Sequence, residues 1–361
     1  KMEALELIKS IYKSFWKGNK VFITGNTGFK GSWLSILLNH LKSDILGFSL
    51  KPQTSPSLFY EAKLDTKIKT TFGDIRDLDH LKKSILEFNP EILIHMAAQP
   101  LVRYSYENPI ETYSTNLMGT VNVLESARHC NNLKSVVIIT TDKCYENIEK
   151  KTGYVESDPM GGFDPYSSSK GCAELATSAY TRSFFSKNNS PNVASVRAGN
   201  VIGGGDWSND RLIPDILRAF QNNNEIIIRN PKATRPWQHV IEPLIGYLML
   251  AEKLYDDSSF SGGWNFGPEY TDCKEVEWIV DKMIDKWGFN LGWEKDKDYN
   301  PHEANLLMLD CTKAKKLLNW TPKWNLEKSL EMIVNWHKFW VENSNNIYDQ
   351  SIANIKEYLD E

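Results

Sequence analysis

A doubly wound parallel α/β sheet carrying a smaller C-terminal α/β lobe is the fold class that three features of the chain predict. The apolar strand Lys20-Val-Phe-Ile-Thr24 runs straight into Gly25, Gly28 and Gly31 and then into an apolar helix (Trp33, Leu34, Ile36, Leu37, Leu38). Short apolar runs then alternate with helical patterns as far as residue 198, the rhythm of a parallel sheet. At 361 residues the chain is long for one core but can hold a large domain and an appended lobe. The large domain is placed at 18–198, with 236–260 returning to it, the lobe at 199–235 and 261–342, and peripheral helices at 1–17 and 343–361.

Composition narrows the function classes. A net charge of −4 offers no basic footprint for nucleic acid and no reason to invoke a membrane surface, so small molecules are the expected partners. The sequence has no run of about 18 apolar residues and its beginning shows no secretory pattern, so a cytoplasmic protein is expected. Its five cysteines are odd in number and lack metal-ligand spacing, which fits reduced, packed thiols and no metal site.

Taken in order, Leu5, Ile8, Tyr12, Phe15 and Trp16 recur at helical spacing, so residues 3–16 read as an amphipathic surface helix. Gly25-Asn-Thr27-Gly28-Phe29-Lys30-Gly31 then permits a tight turn, close approach of backbone N–H groups to a pyrophosphate, and packing of helix on strand, the Rossmann-type device for a dinucleotide. The second strand, Asp44 to Leu50, ends without the acid that holds an adenosine ribose; Ser49 and Lys51 stand there, which leaves NADP open beside NAD. At the end of the third strand Asp74, followed by Ile75, can accept from an adenine amino group or cap the next helix. Strand four ends in Ala97-Ala98-Gln99, where small residues leave room for a cofactor, and Asn116 opens the following helix. Strand five, Val136 to Thr141, runs into Asp142-Lys143-Cys144-Tyr145, and polar groups at the end of a buried strand carry a solvation cost that marks them as functional. Tyr166 and Lys170 are four apart on a helical pattern and share a face. A phenol titrates at about 10, and a cation held beside it lowers that value toward the range a general base needs.

Together, Gly25-x-x-Gly28-x-x-Gly31, Ala97-Ala98-Gln99, Asn116, Thr141 and Tyr166-x-x-x-Lys170 resemble the extended short-chain dehydrogenase/reductase superfamily over nearly the whole chain. Thr141-Asp142-Lys143, Thr24 to Trp33 and Val196 to Trp207 resemble its nucleotide-sugar 4,6-dehydratases, whose commoner signature is Thr-Asp-Glu; lysine at 143 implies CDP-glucose rather than dTDP-glucose as substrate. The resemblance implies a tightly bound, recycled NAD held by the Gly25–Gly31 turn, Asp74, Ile75, Ala97, Ala98, Gln99, Asn116, Tyr166 and Lys170, and a homodimer. It implies that Tyr166 takes the C4′ hydroxyl proton as hydride leaves C4′, with Thr141 bonded to the same oxygen and Lys170 lowering the phenol. Lys143 would then remove the acidified C5′ hydrogen while Asp142 protonates the departing C6′ hydroxyl, although an adjacent Asp and Lys can equally form a plain ion pair. An epimerase needs Tyr166 and Lys170 but no elimination pair, and a non-catalytic dinucleotide sensor or scaffold needs none of the three residues Thr141, Tyr166 and Lys170.

Downstream residues are expected to hold the nucleotide sugar. Arg103 and Ser105 follow strand four, Asn200 follows strand six, and Arg211, Arg229 and Arg235 offer guanidinium forks that match phosphate oxygens. His302, beside Glu303, is placed at the sugar end. Glu242 to Leu254 reads as a helix, Gly262 to Pro268 as a strand and turn, and the tail from Asn343 as an exposed helix. The tryptophans after residue 200 (Trp237, Trp264, Trp278, Trp320, Trp324, Trp336, Trp340) are expected to pack the lobe.

Overall fold

The computed structural model describes residues 14–186, 190–288, 290, 292–297 and 306–360. Its centre is a seven-stranded sheet in the order β10-β6-β5-β4-β1-β2-β3. β1 (Lys20–Thr24) pairs in parallel with β2 (Asp44–Ser49) on one side and β4 (Ile92–His95) on the other. β3 (Lys69–Phe72) extends the sheet past β2, while β5 (Ser135–Ile139) and β6 (Asn192–Ala198) extend it past β4. The winding reverses between β1 and β4, which opens a crevice at their carboxyl ends.

Successive strand residues point to opposite faces, and both faces here are apolar. Val21 and Ile23 of β1, Ile92 and Ile94 of β4, and Val137 and Ile139 of β5 enter one core; Phe22, Leu93, Val136 and Ile138 enter the other. The helices Phe29–His40 and Ile241–Asp256 cover the first face, and Leu78–Phe88 and Gly119–Ala127 cover the second. The lobe is built from β7 (Asn200–Ile202), β8 (Ile226–Ile228), β9 (Thr234–His239), β11 (Cys273–Glu275) and β12 (Trp293–Lys295), as a three-stranded sheet β11-β9-β7 and a two-stranded pair β12-β8. A separate apolar cluster, with Ile213, Leu217, Ile279 and Ile333, holds these strands to their helices.

Three expectations need correction. The sequence places 261–342 wholly in the lobe, but β10 (Gly262–Phe266) within it joins the central sheet, pairing with β6 from Gly262↔Ala194 to Phe266↔Ala198. The tryptophans divide accordingly: Trp264, Trp320, Trp324 and Trp336 pack the main core, and Trp237 packs the lobe. The tail helix Ile347–Asp360 is not exposed along its length, because Ile347, Ile355 and Tyr358 are buried in the main core. Tyr358 donates to Glu242 Oε2 at 2.6 Å, and the same carboxylate accepts from the backbone N–H groups of Lys323 (3.0 Å) and Trp324 (2.7 Å). Most of the helix expected over 3–16 lies outside the described residues, but Trp16 is fully buried.

Beneath the carboxyl ends of β5 and β6 lies a buried polar network. Arg197 of β6 grips Glu174 with Nε at 3.0 Å and Nη2 at 2.8 Å, and Glu174 also accepts from Thr140 (2.5 Å) and Ser195 (2.6 Å). The other arm of Arg197 reaches Tyr145 Oη at 2.6 Å, and Tyr145 in turn donates to Asn265 of β10 at 2.8 Å. Glu174 sits on the helix Pro165–Phe184, so the network ties that helix to three neighbouring strands. Removing one partner leaves the other charge buried and alone, so Arg197→Met is expected to lower the unfolding free energy by about 3–5 kcal/mol. Urea titration at neutral pH checks it, and a loss under about 1 kcal/mol, the scale of an exposed pair, would show that this pair does not anchor the helix.

Candidate active site

The glycine turn between β1 and the helix Phe29–His40 is shaped by contact at two positions and by open space at the third. Gly25 has φ +76°, and a Cβ there would lie 2.6 Å from Ala97 N; one on Gly31 would lie 2.0 Å from Gly25 O. At Gly28, by contrast, only Gly25 O comes within 4 Å, at 3.5 Å. The protein therefore leaves room over the N-terminus of a 12-residue helix, whose free N–H groups present roughly half a positive charge. A pyrophosphate fits that cradle. Thr27 does not point there: its hydroxyl bonds Ser49 Oγ (2.7 Å) and Leu50 O (2.8 Å), tying the turn to the end of β2. Phe29 packs against the lobe junction beside Gly203. Asp74 is engaged by Arg76, whose guanidinium approaches to 2.6 Å and holds the carboxyl below its usual range, and Ile75 packs on Gly119.

The small-residue end of β4 faces the same crevice, and its last member is a clamp. Gln99 N donates to Asn116 Oδ1 (2.8 Å), and Asn116 Nδ2 donates to Gln99 O (3.0 Å) and to Ser169 Oγ (2.9 Å). The Gln99 side chain is engaged by Leu101 and Thr112. Asn116 and Gln99 thus hold the helix of Tyr166 and Lys170 against the strand end. Ser105, expected to face the substrate, is fully buried and accepts from Tyr166 N at 3.1 Å, so it caps the first turn of that helix instead.

Ionisable and hydroxyl groups gather above β5. Thr141 Oγ1 donates to Asp142 Oδ1 at 2.9 Å, and Lys143 Nζ lies 3.5 Å from the same oxygen. Asp142 is entirely buried, yet its Oδ2 has no partner. Such an oxygen costs stability unless something else completes it. Burial pushes the Tyr166 phenol up to about 12, while the Thr141 hydroxyl and the Arg211 guanidinium pull it down. The Lys170 amine donates to Ile139 O at 3.2 Å, and burial lowers it to about 8. Lys30 rises from the glycine-turn helix and donates to Tyr247 Oη at 3.2 Å. Desolvation, then the cations Lys170 and Arg211, bring it to about 7 against the opposing pull of Asp142. Nothing in the apolar helical pattern around Tyr247 marks that residue in advance.

Farther out, Asp210 gathers Arg103 (3.3 Å) and Arg229, whose Nη2 donates to the Asp210 carbonyl at 2.9 Å, and Asp206 holds Arg211 at 3.1 Å. Arg235 is buried in β9 and donates to Thr234 O at 3.0 Å. Asn200, at the head of β7, keeps its Oδ1 buried without a partner. His302 lies outside the described residues.

The depressed amine of Lys30 gives a measurable handle. In the cofactor-free protein its acylation by an amine-selective reagent, followed by mass spectrometry across a pH series, is expected to reach half-maximum near pH about 7. Exposed lysines follow the ordinary amine value of about 10.4, and a Lys30 midpoint there would remove it from the charged cluster.

Comparison with known proteins agrees with this geometry. The family model described as GDP-mannose 4,6 dehydratase matches residues 22–333. The chain is 56% identical over 336 residues to a CDP-glucose 4,6-dehydratase of Salmonella typhimurium, covering 92% of this chain and 94% of that protein. It is 23% identical to a dTDP-glucose 4,6-dehydratase of Haemophilus influenzae, over 88% of this chain and 98% of the other. Among solved structures, a UDP-glucose 4-epimerase of Thermotoga maritima superposes with TM-score 0.79 at 20% identity, covering 89% of this chain and 99% of that one. A dTDP-glucose 4,6-dehydratase of Streptomyces venezuelae with NAD bound does so with TM-score 0.77 at 21% identity, over 90% and 97% of the two chains. The glycine cradle, the tyrosine helix and the hydroxyl, acid and amine at the end of β5 thus stand on a shared fold, and the chain belongs to the GDP-mannose 4,6-dehydratase family of the extended short-chain dehydrogenase/reductases.

Proposed function

We propose that the chain converts CDP-glucose to CDP-4-dehydro-6-deoxyglucose and water. The observation that carries this reading is Asp142 Oδ2, a buried carboxylate oxygen that the protein leaves unpaired beside Lys143 and within reach of the field of Tyr166. An epimerase needs no such acid. Identity to the Salmonella enzyme, together with lysine at 143, supports CDP-glucose among the nucleotide sugars.

NAD fits the site: the Gly25–Gly31 turn would hold its pyrophosphate, and Ala97 and Ala98 leave space beside β1. When bound there, NAD would supply the hydride acceptor for C4′ and the hydride source for C6′. Tyr166, with its anion stabilised by Thr141 and Arg211, takes the C4′ hydroxyl proton. The resulting carbonyl acidifies C5′, and Lys143 removes that proton while Asp142 protonates the C6′ oxygen, which leaves as water. Lys143 finally hands its proton back to C5′. Arg103, Arg211 and Arg229, partly exposed around Asp210 and Asp206, are the side chains proposed for the diphosphate, with Asn200 Oδ1 accepting from the substrate.

A second copy of the chain is the proposed partner. Exposed apolar side chains on or beside the helices next to the site, Ile110 at 85% and Leu175 at 60%, support it. The described cysteines are all free, which supports a reducing compartment, the cytoplasm, and no described helix is long and apolar enough to cross a membrane.

The holoenzyme incubated separately with CDP-, dTDP-, GDP- and UDP-glucose is expected to form a 4-keto-6-deoxy sugar from the CDP substrate; product only from another nucleotide overturns the substrate. Lys143→Ala and Asp142→Asn are expected to keep reducing the nicotinamide with substrate while dehydrated product falls on the order of 100- to 10,000-fold. Unchanged turnover by both variants would end the assignment of these roles.

A further inference from the structure

The acid and the amine proposed for elimination sit on one short turn, Asp142–Cys144, and the following inference rests on that proposed reaction. Thr140 and Thr141 lead into the turn and Tyr145 leads out of it. The entry is fixed by the sheet, because Thr140 N donates to Val196 O at 2.8 Å and the Thr140 hydroxyl donates to Glu174 Oε1 at 2.5 Å. Thr141 and Tyr166, which act on the C4′ hydroxyl, are placed from that side, on the strand end and on the helix that Glu174 anchors.

The exit has a different support. Gly161 N donates to Cys144 O at 2.8 Å and Glu146 N to Pro159 O at 2.9 Å, but residues 159–161 form a loop themselves. The Tyr145 side chain is what reaches the sheet. Its hydroxyl, 1% exposed with the rest of the residue, accepts from Arg197 Nη1 of β6 at 2.6 Å and donates to Asn265 Oδ1 of β10 at 2.8 Å. Burial holds this phenol above the ordinary tyrosine value, so at neutral pH the O–H persists and both bonds are kept. Thr140 and Tyr145 therefore tie the two ends of the turn to the two partners of one buried ion pair, Glu174 and Arg197. Between those ties the acid has little hold of its own: Asp142 Oδ1 meets Thr141 and Lys143 of the same turn, and Oδ2 has no partner.

We propose that the Tyr145 hydroxyl is a positioning group for elimination, fixing the exit of the turn so that Asp142 and Lys143 meet C6′ and C5′, and that it does not serve oxidation at C4′. Misplacing a reacting group by about 1 Å costs on the order of 100-fold. In Tyr145→Phe the ring keeps its stacking on Tyr154, with centroids 5.1 Å apart, and Arg197 keeps Glu174 and Glu156 O (3.1 Å), so only the tie is cut. When the holoenzyme is mixed with CDP-glucose, Tyr145→Phe is expected to reduce its nicotinamide as fast as the unsubstituted chain, hold it reduced, and release dehydrated product roughly 10- to 100-fold more slowly. Slowing by deuterium at C5′ is expected to grow, and slowing by deuterium at C4′ to shrink. The ratio of reduced nicotinamide to product is read within folded molecules, so a loss of folded protein does not alter it. Tyr154→Phe gives up the bonds of the neighbouring loop to Asn147 and Ile148 but spares the Tyr145 hydroxyl, and is expected to hold no reduced nicotinamide. If Tyr145→Phe turns over normally, slows both steps alike or slows hydride transfer first, or if Tyr154→Phe accumulates reduced nicotinamide as well, the hydroxyl only supports the fold and the proposal falls. Arg197→Lys, whose single ammonium cannot fork to both Glu174 and the Tyr145 hydroxyl, carries the same ratio should phenylalanine disturb folding. Dehydration by the unsubstituted chain, measured first, checks the underlying reaction separately.

Discussion

The buried pair of Glu174 and Arg197 decides where the catalytic helix meets the sheet, and the geometry of the site follows from that contact. Tyr166, Lys170 and Glu174 recur every four residues on the helix Pro165–Phe184, so they form one stripe running from the cleft into the core. At the deep end Glu174 is fixed by Arg197, Thr140 and Ser195; at the shallow end the Tyr166 backbone N–H donates to Ser105 Oγ. Thr140 and Thr141 are adjacent at the end of β5, so one strand terminus holds the anchor with one hydroxyl and the reacting group with the next. Asn116, through Ser169 and Gln99, sets the remaining rotation of the helix.

Charge in the cleft is one-sided. Lys143 lies against Asp142, and Lys30 feels the fields of Lys170, Arg211 and Asp142. Burial disfavours the charged form of an amine and lowers Lys30 to about 7 and Lys170 to about 8; at Lys30 the cations Lys170 and Arg211 add to that fall. A cleft of this kind is completed by anions, which a dinucleotide and a nucleotide sugar each supply as a diphosphate. The Arg103, Asp210 and Arg229 group differs in kind: its acid holds two guanidinium groups in place near solvent, where their forks remain available.

Much of this was legible in the sequence where a local pattern and a chemical need coincide. The strand, glycine turn and helix at residues 20–40 had to be adjacent, and the two contacts that exclude a side chain at Gly25 and Gly31 lie within or beside that turn. Tyr166 and Lys170 declared themselves by helical spacing. What escaped depends on partners distant along the chain. β10 finds its place only by pairing with β6, Ser105 caps a helix that begins some sixty residues later, and Lys170 places its amine on a carbonyl of β5. The tail helix was misjudged because its apolar face is short and interrupted by polar residues, while the surface that receives it belongs to the helix at the other end of the chain.

Glu242 joins the middle of the chain to its C-terminal end. It lies at the start of the helix that roofs the first face of the sheet, yet the donors to its carboxylate are Lys323, Trp324 and Tyr358. Burial pushes the carboxyl up to about 7, so without those donors the group is a standing penalty inside the largest core. The roof of the sheet, built from the middle of the chain, has this carboxylate satisfied only by donors that lie as far on as residue 358. Glu242 therefore couples the roof of the sheet to the C-terminal helix, and neither is fully satisfied without the other.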